Sequence, residues 1–175
     1  MFGRLVSVLL REVGRQLAAP RSVPPSPEAA PERPAPRRGR GAGDFTGRRV
    51  VLGYAPRDDG RPDPGEVVWA WVPFEEGDGR GKDRPVLIAG RSGPDLVGFM
   101  MTSRDHAHGG DRHDAAGRTW VDVGSGAWDR RGRPSEVRVD RVLRISPKDV
   151  RREGAVLDRE RFEVVAAEAR RVLGW

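Results

Sequence analysis

The sequence predicts a mainly β domain, a small barrel followed by one C-terminal α-helix. Three observations lead there. Between Gly65 and Thr102, three apolar runs (67–72, 85–89 and 96–101) are separated by turn-rich segments. Two more short runs, 119–123 and 137–145, follow with turn clusters between them. From Gly65 onward, only the last stretch, 159–173, has the helical spacing of a long helix. Many short strands with regular turns and little helix are the pattern of a small barrel.

Each element has its own signal. In run 67–72, Val67, Trp69 and Trp71 alternate with Val68, Ala70 and Val72, and both sets are apolar. That suits a strand with one face in a core and the other partly covered. Pro73 ends it. Residues 75–84 form a charged, Gly-rich loop that closes on Asp83-Arg84-Pro85. The segment RSGPD at 91–95 is a hairpin-type connection between the second and third runs. Residues 104–117 read as a polar loop, and 124–134 as a long turn holding Trp128. The run 137–145 is a fifth, bent strand, and Ser146-Pro147 opens a short helical turn. Asp158 caps the final helix, whose Phe162, Val165, Ala166, Ala169, Val172 and Leu173 follow i, i+3, i+4 spacing; Gly174 stops it.

Ahead of the domain the chain changes character. Residues 2–17 place Phe2, Leu5, Val6, Leu9, Leu10, Val13 and Leu17 at helical spacing, with Arg4, Arg11 and Arg15 mostly elsewhere on the wheel. This basic amphipathic helix, within residues 1–19, either docks on its own protein or lies on a partner or membrane surface. Residues 20–43 are rich in Pro, Ala, Arg and Gly. They bury too little apolar surface to offset their ordering entropy and are expected to be a disordered linker. Residues 44–63 carry a short apolar run at 50–54, an edge strand or an arm packed on the domain that begins at Pro64.

The chain has 175 residues and a formal charge of +6. Lysine occurs only at 82 and 148, so the basic charge is almost all arginine. Residues 1–62 hold 12 Lys+Arg against 6 Asp+Glu, and the rest hold 20 of each. Any basic surface on the domain must therefore come from clustering rather than from net charge. Without cysteine, disulfides, thiolate metal sites and cysteine nucleophiles are excluded. No apolar run approaches the ~20 residues that span a bilayer. The run 5–10 is too short for a secretory signal, so the expectation is a cytoplasmic protein.

Candidate chemistry narrows by elimination. The three histidines, His106, His108 and His113, share one loop. Their spacing has one residue too many for the His-x-His-x-Asp-His pattern of metallo-hydrolases, and there is no further histidine to complete such a site. A polar loop with incidental histidines is expected, with no cofactor and no metal; the alternative is a zinc-dependent hydrolase that uses the histidine loop. Gly124-Ser125-Gly126 lies in a turn rather than at a strand-to-helix elbow. Residues 77–82 lack the Ser/Thr and helix of a phosphate-binding loop. What remains is Arg84 and Thr102, at the start and the finish of neighbouring strands and expected to face a shared groove. A guanidinium fork matches two phosphate oxygens, and a threonine hydroxyl can donate to the same phosphate. RNA carries its own nucleophile, the 2′-OH. From the residues alone a second reading of Arg84 stands, a surface ion pair with an acid such as Asp83.

The order of these motifs resembles a known family. Gly65-Glu66-Val67-Val68-Trp69, a charged Gly-rich loop, Arg84-Pro85-Val86, and a third strand closing on Thr102-Ser103 are similar to the MazF/PemK toxins. PDPGEVVW, GKDRPVLI, GAWDRRGRPSEVRVDRVLRI and RREGAVLDRERF look closest to an actinobacterial PemK-like branch. The resemblance covers Pro64 to about Leu173. It implies an SH3-like, CcdB/PemK-type barrel with a C-terminal helix, and a homodimer. It implies metal-independent cleavage of single-stranded RNA through the 2′-OH, and neutralisation by an antitoxin, with operator DNA bound by the joint complex. It puts catalytic roles on Arg84 and on Thr102, with Ser103 as understudy, and a substrate loop at 75–83. Lys82, Arg104, Arg130, Arg131 and Arg133 are expected to steer RNA. Apart from the resemblance, His106 is a candidate acid or base, since imidazole titrates near neutrality. The alternative is a catalytically degenerate barrel of the same family, a nucleic-acid-binding or partner-binding module tethered by its N-terminal arm.

Overall fold

The structure, a computed structural model, describes residues 41–103 and 113–175. The helix expected at 2–17, linker residues 20–40, and loop residues 104–112 with Arg104, His106 and His108 lie outside the described residues.

Seven strands and one α-helix are present among the described residues. They are β1 (Ala42–Asp44), β2 (Glu66–Pro73), β3 (Gly81–Ser92), β4 (Asp95–Thr102), β5 (Trp120–Gly124), β6 (Ser135–Ile145), β7 (Arg152–Val156) and α1 (Arg159–Leu173). A 3-10 turn, Pro147–Asp149, precedes β7. The strands form one antiparallel sheet in the order β1-β6-β4-β3-β2-β7, and β5 pairs with β6 beside β1. The mainly β architecture with a C-terminal helix is as expected.

Alternation along the strands sends side chains to two faces, and each face has its own core. One core holds Val68, Ala70, Val72, Val86, Ile88, Met100, Trp120, Leu143 and Ile145. The other holds Val67, Leu87, Ala89, Val97, Phe99, Met101, Val137 and Val139, and it is covered by α1 through Phe162, Val165, Ala166 and Ala169. The sheet curls so that β1 and β6 come up against β2. Arg141 Nη1 donates to the Pro73 carbonyl at 3.1 Å, which joins β6 to the end of β2. At Gly41, whose φ is 118°, a Cβ would lie 3.0 Å from the Trp71 carbonyl oxygen. Only glycine lets β1 pass so close to β2.

The helix forms for the reasons read from its sequence. Asp158 Oδ1 accepts from Arg161 N at 2.9 Å, and Gly174 leaves the helix in the left-handed region at φ 67°. None of the described helices is long and apolar enough to cross a membrane.

Three elements differ from expectation, and for a fourth, the run 50–54, the structure selects the arm over the edge strand. Strand β3 begins at Gly81, so Lys82, Asp83 and Arg84 lie in the strand rather than in the loop before it. Charged residues hold a strand conformation here because β2 supplies partners as far as Pro73↔Gly81. The run 50–54 is an arm rather than a strand: Val50 and Leu52 are buried, and Gly53 N donates to the Ala89 carbonyl at 3.0 Å. Ala42 and Gly43, placed in the linker by composition, pair with Ile145 and Arg144 as part of β1. Strand β7, whose charged and small residues carry no apolar alternation, pairs with β2 and extends the sheet by one strand.

Candidate functional site

Strands β3 and β4 pair as far as Val86↔Met100 and then take different partners. Two residues further on, Arg84 pairs with Ala70 of β2, and Thr102 pairs with Glu136 of β6. Asp122 of β5 lies on the other side of Glu136. Since side chains repeat every second residue, Arg84 shares a face with Val86, and Thr102 shares it with Met100. A single row therefore crosses the sheet: Ala70, Arg84, Thr102, Glu136, Asp122. Thr102 and Glu136 are each 7% exposed, Arg84 is half-buried and Asp122 is exposed. A guanidinium, a hydroxyl and a carboxylate thus line one end of the curled sheet, where partial burial strengthens electrostatic interactions. Thr102 ends its strand as expected, whereas Arg84 is the fourth residue of its own. Asp83 forms an ion pair with Arg151, Nε to Oδ1 at 3.1 Å.

The next row inward pairs Trp120 with Arg138. The Arg138 side chain is only 6% exposed, yet three nitrogens bind carboxylates. Nη1 and Nη2 each donate to a different oxygen of Glu75 at 2.8 Å. Nε and Nη2 donate to Asp140 at 3.1 and 2.8 Å. Burial works to lower the Arg138 pKa, but the two carboxylates outweigh it and hold the group above its usual range. The hydrogen bonds from Arg138 hold Glu75 below the usual carboxylate range.

The segment returning to β5 is built on Asp114. Its Oδ2 accepts from Trp120 Nε1 (3.0 Å) and Arg118 Nε (2.7 Å), and its Oδ1 from the amides of Ala116 (2.9 Å) and Arg118 (3.0 Å). Burial works to raise this carboxyl, and the four donors override it and hold it well below its ordinary value. His113, exposed, lies 3.2 Å from Thr119 Oγ1 through Nδ1.

Lys82 is exposed on the same face as Arg84, opposite Val72. Ser103 follows Thr102 and is half-buried. Arg130, Arg131 and Arg133 are exposed in the turn that enters β6 one residue before Glu136, so they stand at the end of the sheet that holds Thr102. Asp129 organises that turn, accepting Arg133 Nε at 2.7 Å and Arg131 N at 3.1 Å. Trp128 is buried and donates to Ser135 Oγ at 3.1 Å; it anchors the turn. Sequence reasoning missed Glu136 and Arg138, and reached Glu75 only as the first residue of the substrate loop. The signal for the first two was the alternation Glu136, Arg138, Asp140, a charged face on a strand whose other face is Val137 and Val139.

A family model described as a PemK-like, MazF-like toxin of type II toxin-antitoxin system matches residues 63–173. Solved structures similar to the chain include a mycobacterial endoribonuclease in complex with its cognate antitoxin, at 16% identity over 65% of this chain and 95% of that one, with a TM-score of 0.44. MazF from Deinococcus radiodurans is 20% identical over 67% and 100%, with a TM-score of 0.46. Mycobacterium tuberculosis toxin MazF-mt6 is 19% identical over 62% and 96%, with a TM-score of 0.40. No curated protein matches the chain.

Proposed function

Because the chain belongs to the PemK-like, MazF-like toxins of type II toxin-antitoxin systems, we propose that it is an endoribonuclease that cleaves single-stranded RNA through the 2′-OH without a metal. One observation carries this reading: Arg84 and Thr102 stand on one face at the diverging ends of β3 and β4, in a row with the Glu136 carboxylate. In the proposed reaction the 2′-oxygen attacks the adjacent phosphorus, and the bond to the 5′-oxygen breaks. Arg84 neutralises charge on the crowded phosphorane, and Thr102 donates to a phosphate oxygen and sets the register, with Ser103 beside it. Glu136 accepts the 2′-OH proton, and His106 returns one to the leaving 5′-oxygen. Lys82, Arg104, Arg130 and Arg131 draw the strand in. Arg133, whose Nε already binds Asp129, mainly shapes the turn. The protein acts as a homodimer in the cytoplasm, and a small antitoxin neutralises it by filling the RNA groove.

The test is incubation of purified protein with a long RNA in EDTA. Cleavage is expected, with product ends that carry a 2′,3′-cyclic phosphate, and a DNA strand of the same sequence should stay intact. Removing one charged donor to the transition state typically costs about 10²–10³ in rate, which is the loss expected for Arg84→Ala. An inert wild-type protein, or an Arg84→Ala variant that cuts as fast as wild type, would overturn the reading.

A further inference from the structure

Among the described residues, the guanidinium of Arg138 is the most deeply buried cation on the site face, and it serves neither the row of Arg84 and Thr102 nor the helix. Two carboxylates hold it, and they are held unequally. Asp140 is 22% exposed, belongs to the same strand, and also accepts the Thr119 amide at 2.8 Å. Glu75 is 47% exposed and comes from the connection between β2 and β3. Both of its hydrogen bonds go to Arg138. Gly77 and Gly79 follow at φ 68° and 79°, so backbone that only glycine adopts freely lies between Glu75 and β3. Of the two carboxylates, Glu75 is the one that can leave without disturbing a strand.

The geometry of the pair names the ligand class. Glu75 meets Arg138 fork to fork, one oxygen on each terminal nitrogen. Two oxygens of a phosphodiester fit the same two nitrogens. Arg138 is one row inward from Glu136, which pairs with Thr102, so a strand laid along the row passes over it. We propose that the position Glu75 occupies on Arg138 is a second phosphate-binding position. The glutamate fills it in the free protein, and a backbone phosphate of single-stranded RNA takes it over as the 75–80 loop lifts. This inference rests on RNA being the substrate.

The test compares Glu75→Gln with Glu76→Gln, its exposed neighbour in the same loop. Both remove one negative charge, and only the first frees Arg138. The probe is a mixed-sequence, single-stranded 2′-O-methyl oligonucleotide, which binds but offers no 2′-OH. Glu75→Gln is expected to bind about tenfold more tightly than wild type, because the phosphate no longer has to displace a carboxylate from Arg138. Glu76→Gln should leave the affinity within about twofold of wild type, the effect of one exposed charge. Adding Arg138→Lys to Glu75→Gln should remove the gain. Equal affinities for the two glutamine variants would overturn the inference while leaving cleavage by wild type intact. Failure of every variant to bind the probe, with no cleavage of RNA by wild type, would bring down both readings together.

Discussion

Asp114 shows how much one side chain can settle. Four donors converge on its two oxygens and fix the segment that delivers Trp120 to β5. Its folded pKa lies well below that of the unfolded chain, so its stabilisation is full above the ordinary carboxylate range and is lost progressively as pH falls from that range toward the depressed folded value. Asp114→Asn is expected to cost about 2 kcal/mol at neutral pH, the scale of hydrogen bonds to a charged group. Urea titrations at pH 7 and pH 3 check this: the gap between variant and wild type should shrink at pH 3, and an equal gap at both would exclude the charge as its source. At this scale the site was only half legible. Arg84 and Thr102 stood out because each sits at a motif, Arg-Pro and Thr-Ser, beside an apolar run. Glu136 and Arg138 did not, because their place depends on β6 pairing with β4 and β5, and nothing local in the sequence records that pairing.

Among the elements, β4 is the one the site leans on, since it carries Thr102 and joins β3 to β6. Its middle is Gly98, where a Cβ would lie 2.3 Å from the Leu87 carbonyl oxygen. That atom is backbone and cannot swing aside, so the strands must part. Gly98→Ala is therefore expected to destabilise the protein by about 3 kcal/mol, near the top of the range for overpacked cores. Thermal unfolding measures it, and a change within about 0.5 kcal/mol, the size of a neutral surface substitution, would mean that β3 and β4 have slack. The hairpin joining them was readable from RSGPD, because Gly93 at φ 59° supplies the turn that Ser92↔Asp95 closes. The start of β3 was not, because Gly81-Lys82-Asp83-Arg84 has no apolar residue. Its strand conformation comes from the β2 partner rather than from its own composition.

For the whole molecule the question is where the folding unit begins. The family match starts at residue 63, but the cores do not. Ala42 belongs to one core, and Val50 and Leu52 to the other. Tyr54 donates its hydroxyl to the Leu157 carbonyl at 2.8 Å and packs edge-on against Phe162 at 5.2 Å. Burial of Val50 and Leu52 alone is worth about 3–6 kcal/mol, a large part of the 5–15 kcal/mol that holds a typical domain together. A protein of residues 63–175 is expected to unfold at least 10 °C below one of residues 41–175 in calorimetry; equal midpoints would make the arm dispensable. The arm also sets a schedule. Tyr54 bonds to Leu157, 103 residues later, and Leu52 accepts from Arg170, 118 residues later. At a synthesis rate of about 5–20 residues per second, the first of these partners leaves the ribosome roughly 5–20 s after the arm does. The arm is made before its partners and docks only after them, so this domain cannot complete its fold until Leu157 and Arg170 have been synthesised.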